Sequence, residues 1–183
     1  MKLLIIGGTG FLSGTLASIA LEEGHEVWVV TRGQKPVDPE LHSIRADRKD
    51  KTAFKKAVQE VQIHWDLAVD CIAFSPDDIN QDIDVLENLA DQFVYISTDF
   101  VYEPMSRKFP QSENPAVYNT DSYGGGKRAG EQVLENSRQS SLKWTIFRPG
   151  HIYGPGSQLG CLPLHGRDAH LIQRIKDGET LSL

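Results

Sequence analysis

At 183 residues, 39% apolar and 24% charged, the chain has the size and make-up of one soluble domain, or one domain with part of a second, and enough length to bury roughly 70% of its unfolded surface. Nineteen Lys and Arg against 25 Asp and Glu give a net charge of −6, which argues against a general nucleic-acid binder but leaves room for a local basic patch. Cys71 and Cys161 are the only cysteines; far apart and outside any CxxC, they suggest neither a disulfide framework nor a cysteine metal site. No apolar run approaches the ~20 residues of a membrane span, and the first 20 residues lack the layout of a secretory signal. The expectation is a cytoplasmic protein with no membrane partner.

The first apolar run, with Leu3, Leu4, Ile5 and Ile6, reads as a buried parallel strand. It breaks into Gly7-Gly8-Thr9-Gly10, and a helical pattern through Leu12, Leu16, Ile19 and Ala20 follows at once. Strand, glycine turn and helix in that order suit a dinucleotide pyrophosphate. Glycines let the backbone approach the phosphates, whose charge then meets free N–H groups at a helix N-terminus. Gly24 closes this helix, and residues 27–30 form a second strand ending at Thr31-Arg32-Gly33. Pro36 and Pro39 mark a loop. A short third strand at Ile44 leads to Ala46-Asp47-Arg48, and Ala53, Phe54, Ala57, Val58 and Val61 continue at helical spacing. Residues 66–73 read as a fourth strand, Pro76 opens a helix running to Leu89, and residues 93–96 form a fifth strand stopping at Ser97-Thr98-Asp99. A polar loop spans 103–119, a helix 122–136 and a sixth strand 144–147. A Gly- and Pro-rich tail then ends in an amphipathic stretch with Leu171, Ile172 and Ile175. Six alternations of strand and helix predict an α/β fold with a doubly wound parallel sheet and right-handed crossovers.

Ligands of such sheets lie at the carboxyl ends of the strands. After the second strand, where a carboxylate would take ribose hydroxyls and favour NAD, stand Thr31 and Arg32. Arg32 suits a 2′-phosphate and tilts the expected cofactor from NAD to NADP; its other reading is a solvated surface arginine. Asp47 has two readings: acceptor for an adenine amino group, or helix N-cap and ion-pair partner of Arg48. Arg45, Arg48, Lys49, Lys51, Lys55 and Lys56 are interleaved with acids and read as a solvated helix face, the other reading being contact with a phosphate or RNA. Tyr123 and Lys127 lie four apart on one helix face, where a cation stabilises tyrosinate and makes the Tyr a usable general acid/base for a carbonyl–alcohol couple. Thr98 leaves the fifth strand nearby with a hydroxyl for the same substrate oxygen. Three glycines, 124–126, interrupt this helix near its start, with Asp121 or Ser122 as its cap. His151, His165 and His170 are not at metal-ligand spacing, so no metal site is expected.

Together, Gly7-Gly8-Thr9-Gly10-Phe11-Leu12, Ile96-Ser97-Thr98-Asp99-Phe100-Val101-Tyr102, Tyr123 with Lys127, and Arg148-Pro149-Gly150-His151-Ile152-Tyr153-Gly154-Pro155-Gly156 resemble the short-chain dehydrogenase/reductase superfamily. The branch they resemble is the extended NAD-dependent epimerase/dehydratase family. The resemblance implies a Rossmann-type fold, with residues 1–150 binding NAD(P) and 151–183 beginning a C-terminal substrate lobe that continues for roughly a hundred residues or more in relatives. It implies Thr98, Tyr123 and Lys127 as catalytic triad. The cofactor would be held by Gly7, Thr9, Gly10, Phe11, Leu12, Arg32, Asp47, Lys127 and Pro149. The implied substrate is a small molecule, a nucleotide sugar in most relatives, and the implied assembly is a homodimer through a helix pair including residues 122–136. The wording around Thr31-Arg32-Gly33 and Ala46-Asp47-Arg48 also resembles an atypical subgroup containing chloroplast stem-loop RNA-binding proteins. A non-catalytic NADP-sensing or RNA-binding role is therefore the alternative to an epimerase or reductase. Residues 97–102 resemble the matching block of sugar-nucleotide 4-keto reductases; Phe100 occupies the position of the dehydratases' Glu, which disfavours a dehydratase. Ser13 replaces the family's third glycine, and its side chain is expected to push the first helix outward or shift a cofactor contact.

Overall fold

A computed structural model of the chain describes residues 1–137, 140–156 and 170–180. The chain divides into two units, Met1–Gly150 and His151–Leu183. Ten elements make up the first: β1 Lys2–Ile6, α1 Phe11–Glu22, β2 Glu26–Thr31, β3 His42–Arg45, α2 Lys51–Gln59, β4 Leu67–Asp70, α3 Pro76–Leu86, β5 Gln92–Ile96, α4 Ser122–Asn136 and β6 Lys143–Phe147, with 3-10 turns at Asp99–Val101 and Pro104–Ser106. In the second unit the described regular element is α5, Leu171–Lys176. None of the described helices is long and apolar enough to cross a membrane. Cys161 and His165 lie outside the described residues.

All six strands are parallel, in the order β3-β2-β1-β4-β5-β6, which is the Rossmann arrangement. Period-2 alternation divides β1 between two apolar layers. Leu4 and Ile6, with Trp28 and Val30 of β2, pack into the layer holding Phe54 and Val58 of α2, Ile79 and Leu86 of α3 and Leu134 of α4. Leu3 and Ile5, with Val27 and Val29, face Ala17 and Ala20 of α1. The side of α1 turned inward is therefore Ser13, Ala17 and Ala20. Ile19, expected on the buried stripe, is 51% exposed, because the small residues are the ones that let the helix lie close to the sheet. After β1 the chain winds toward β3, and from β3 it crosses back to β4. The reversal opens a crevice at the carboxyl ends of β1 and β4.

Carboxylates set two of the boundaries. β4 stops at Asp70, not at residue 73, because the Asp70 carboxylate accepts the N–H groups of Ile72 and Ala73 and turns the chain. α2 begins at Lys51 because Asp50 is the cap, accepting from the Ala53 N–H at 3.0 Å. α3 starts in a reciprocal capping box: Ser75 Oγ accepts from the Asp78 N–H at 3.3 Å, and Asp78 Oδ2 accepts from the Ser75 N–H at 3.0 Å.

Candidate functional site

The turn after β1 needs its glycines. Gly7 and Gly8 have φ of +121° and +30°, and a Cβ on Gly8 would come 2.4 Å from Val29 Cβ. Gly10 caps α1 without a side chain, and no acidic residue occupies the first helical turn, so the N–H groups of Phe11 and Leu12 have no carbonyl partner within the helix. Ser13 is buried, and its Oγ accepts from the Gly10 N–H at 3.0 Å; it ties the turn to the helix that follows. A cleft of ≈ 420 Å³ runs from this turn along the strand ends, lined by Gly7, Thr9, Gly10, Arg32, Asp47 and Phe74 among others. The backbone cradle and open helix N-terminus fit a pyrophosphate.

Lys35 and Lys49 line the same cleft as Arg32, and Arg32 is exposed, with no ion pair to any described residue. Asp47 accepts the Lys49 N–H at 3.0 Å in an Asx turn. It is neither the helix cap, which is Asp50, nor the partner of Arg48. That guanidinium is largely buried and reaches Asp70, Asp82 at 3.0 Å, and Asp78, whose Oδ1 lies 3.1 Å from Nε. The solvated-face reading thus fails for Arg48. It describes Lys51 and Lys56, which are exposed, and Lys55, which is partly so, since each pairs with an acid.

At the ends of β4 and β5 the remaining candidates gather. Lys127 is 2% exposed; its Nζ donates to the carbonyls of Ala73 at 2.7 Å and Ile96 at 2.6 Å and lies over the Tyr95 and Phe74 rings at 4.6 and 5.1 Å. Burial pulls its pKa down to about 8, against the opposing pull of Asp70. Tyr123 is half exposed, with its ring 6.2 Å from Phe74 and 6.4 Å from Phe100. Phe74 therefore links the cleft to the Tyr123–Lys127 face. Thr98 Oγ1 accepts the Phe100 N–H at 3.3 Å, leaving the hydroxyl proton to donate. Pro149 lies beside it, its carbonyl accepting the Asp99 N–H at 3.0 Å.

The three glycines of α4 are places where backbone meets backbone. A Cβ on Gly124 would sit 2.0 Å from the Phe100 carbonyl oxygen, and one on Gly125 2.5 Å from the Thr120 carbonyl carbon. Only bare backbone lets the first turn carry Tyr123 so close to the end of β5. Asp121 precedes the helix but makes no side-chain cap, and Ser122 has φ of +57°.

The geometry also brings in residues that the sequence reading did not single out. Glu131, with no exposed surface, accepts from Ser97 Oγ at 2.6 Å, from Arg128 at 2.8 Å and from Arg148 Nε and Nη2 at 2.9 and 2.8 Å. Arg148 also donates to the Tyr102 hydroxyl at 2.8 Å. Asp70 and Asp82 are likewise fully buried. Asp70 carried a usable signal, a charge inside the apolar run of β4, which demands a partner. Cys71 is a free thiol whose pKa burial pushes up to about 12, so it is not a reactive nucleophile at neutral pH. Among the described residues no group of three or more His, Cys, Asp or Glu is arranged to hold a metal ion.

Comparisons with known proteins agree with this fold. The model of the NAD dependent epimerase/dehydratase family matches residues 3–183. The chloroplast stem-loop binding protein of 41 kDa b from Arabidopsis thaliana is 30% identical over 169 residues, covering 84% of this chain and 43% of that protein. A UDP-glucose 4-epimerase from Lactobacillus helveticus is 22% identical over 194 residues, covering 96% and 59%. The chain thus spans about half the length of these curated relatives. Among solved structures, a UDP-galactose 4-epimerase superposes with a TM-score of 0.75 at 19% identity, covering 99% of this chain and 65% of that one. WbmG of Bordetella bronchiseptica, solved in complex with NAD, gives 0.73 at 21%, covering 99% and 61%; at such identities the likeness shows the fold. With its glycine turn, Rossmann strand order and a family match over nearly its whole length, the chain belongs to the NAD dependent epimerase/dehydratase family.

Proposed function

We propose that this chain binds NAD(P), with NADP preferred, and serves an epimerase or reductase that moves hydride to or from a carbon of a sugar, of nucleotide-sugar type, with Tyr123 as general acid/base. The observation that carries the reading is the continuity from the glycine-turn cleft through Phe74 to Tyr123 and Lys127. A bound nicotinamide would supply the hydride acceptor or donor. Tyr123 exchanges a proton with the substrate oxygen, and the Thr98 hydroxyl donates to that same oxygen. Lys127 keeps positive charge close to the tyrosine, and two of its three N–H donors are taken by carbonyls, leaving one for a ribose hydroxyl. Gly7, Thr9, Gly10 and the N–H groups of Phe11 and Leu12 would hold the pyrophosphate, Asp47 the adenine, and Pro149 one side of the nicotinamide. Arg32, with Lys35 and Lys49, supplies cations for a 2′-phosphate and no competing carboxylate. Residues 151–183 belong in this reading to the start of the substrate lobe, and self-association would use residues 122–136.

Fluorescence titration with NADPH and NADH tests the binding half, and absence of both complexes sinks the proposal. Arg32→Asp is expected to cut the NADPH-over-NADH preference by about tenfold or more, roughly one lost charge-assisted contact. Tyr123→Phe is expected to lower turnover by about 10²-fold or more with nucleotide affinity unchanged. The likeness to a stem-loop binding protein favours a second reading, a nucleotide-responsive binding protein without turnover. That reading holds if wild type and Tyr123→Phe bind nucleotide equally and neither turns over.

A further inference from the structure

Nothing in this chemistry calls for a buried carboxylate one helical turn beyond Lys127, yet Glu131 is sealed from solvent and takes four hydrogen bonds on its two oxygens. Its donors come from three segments, and each adjoins a candidate site residue. Ser97 precedes Thr98, Arg148 precedes Pro149, and Arg128 follows Lys127. Thr98 is clamped from both sides. Ser97 gives its hydroxyl to Glu131 and its N–H to the Phe147 carbonyl at 2.7 Å, while the Asp99 N–H goes to the Pro149 carbonyl.

We propose that Glu131 is the positioning residue of the candidate site: by holding Ser97 and Arg148 against α4, it fixes the distance between the Tyr123–Lys127 face and the strand ends carrying Thr98 and Pro149. Geometry favours this over a role in stability alone. An ion pair that only filled space would need one cation. Glu131 instead distributes its lone pairs over the end of β5, the end of β6 and its own helix, where a misplacement of about 1 Å costs about 10²-fold in rate. The carboxylate also acts on Lys127 through its field. Facing that amine are Asp70 and Cys71 from the β4 end, Glu131 from α4, Arg48 from beyond β3, and the rings of Tyr95 and Phe74 around it. Glu131 favours the charged amine, so its neutralisation lowers the pH at which Lys127 gives up its proton.

The kinetic half of the test rests on the function proposed above; the titration half does not. In the full chain, the ¹³Cε resonance of Lys127, assigned by loss in Lys127→Met, is followed against pH without nucleotide. Glu131→Gln is expected to move its midpoint to lower pH by about half a pH unit or more, and Ser97→Ala to leave it in place. With nucleotide and substrate, Glu131→Gln is expected to lose about tenfold or more in kcat, with KM for nucleotide within about twofold. Glu131→Asp should recover part of that loss, and Ser97→Ala should lose about threefold. A folded Glu131→Gln chain with wild-type kcat and an unmoved Lys127 midpoint overturns the proposal. Should Glu131→Gln fail to fold, Ser97→Ala decides: a lower kcat at constant KM supports the proposal, and an unchanged kcat overturns it. A wild-type chain that binds no nucleotide defeats the functional reading, while the Lys127 titration still judges Glu131.

Discussion

At Arg48 one buried cation meets three carboxylates, Asp70, Asp78 and Asp82; at Glu131 one buried carboxylate meets two cations, Arg128 and Arg148. Both clusters tie strand ends to a helix at the carboxyl edge of the sheet, but their charges add up differently. Around Glu131 the second acid on Arg128 is Glu135, at 2.6 Å, so two arginines face two glutamates. The arginines and Ser97 hold Glu131 below the usual glutamate range even though burial pushes the other way. Around Arg48 one positive charge faces three acids, two of them without exposed surface. Asp82 Oδ2 finds no donor among the described residues, and its neighbour there is the Asp70 carboxylate. Burial and that neighbour drive the pKa of Asp82 well up, and in its protonated form it would supply the missing donor to Asp70. Charge balance decides which buried carboxylate stays ionised.

Removing the central group should hurt most where it leaves most charge stranded. Arg48→Met leaves the buried Asp70 carboxylate without its cation and Asp82 without its donor, and a loss of about 3–5 kcal/mol in denaturant unfolding is expected. Because Asp70 also pins the N–H groups of Ile72 and Ala73, and Asp78 that of Phe74 at 2.8 Å, the floor of the cleft should loosen and nucleotide affinity fall with it. Glu131→Gln is a smaller change of shape, and its amide offers donors where arginines already donate; about 2–3 kcal/mol is expected. Equal costs for the two would break the comparison, since the cluster at Glu131 leaves Arg128 a second partner and the cluster at Arg48 leaves Asp82 none.

The sheet and the glycine cleft were legible because their signals are local. The run from Leu3 to Ile6 is buried on both faces, the turn glycines have no alternative, and strand ends converge in this fold wherever the helices pack. Gly7, Thr9, Gly10, Arg32 and Asp47 accordingly meet in one cleft. The buried charges were not legible, because burial of a charge is a property of the assembled layers. Arg48 sits among Lys49, Lys51 and Lys55 and looks like any solvated cation until α3 is packed against α2. Glu131 and Glu135 are one turn apart on α4, yet the first is sealed and the second half exposed. The ends of β5 and β6, which bring Ser97 and Arg148, separate them. The glycines of α4 read as room for a cofactor or substrate, or as a loose helix start; the Phe100 carbonyl that Gly124 must clear lies 24 residues earlier in the chain.

Asp82→Asn makes at Arg48 the same acid-to-amide change that Glu131→Gln makes at the other cluster, and the smallest effect is expected from it. The Asn oxygen can keep the bond from Arg48 while its NH₂ donates to Asp70 as the protonated acid would, so at pH 4 and below stability should stay within about 1 kcal/mol of wild type. The pH dependence gives the sharper reading. The folded pKa of Asp82 is raised above its ordinary 3.8, so above that pH the folded state holds a proton that the unfolded state has released. Its contribution to stability is full below pH 3.8 and drains away as pH rises toward the folded value. Glu131 has the opposite sign: its folded pKa lies below its ordinary 4.5, so its contribution is present above that value and is lost as pH falls through the folded one. Asp82→Asn should therefore lift stability relative to wild type increasingly as pH climbs above 4, and Glu131→Gln should narrow its deficit as pH falls below 4. Denaturant midpoints from pH 3 to 8 measure both slopes. If the two variants shift in the same direction with pH, Asp82 is ionised in the folded chain and the proton assigned to the Asp70–Asp82 pair is absent.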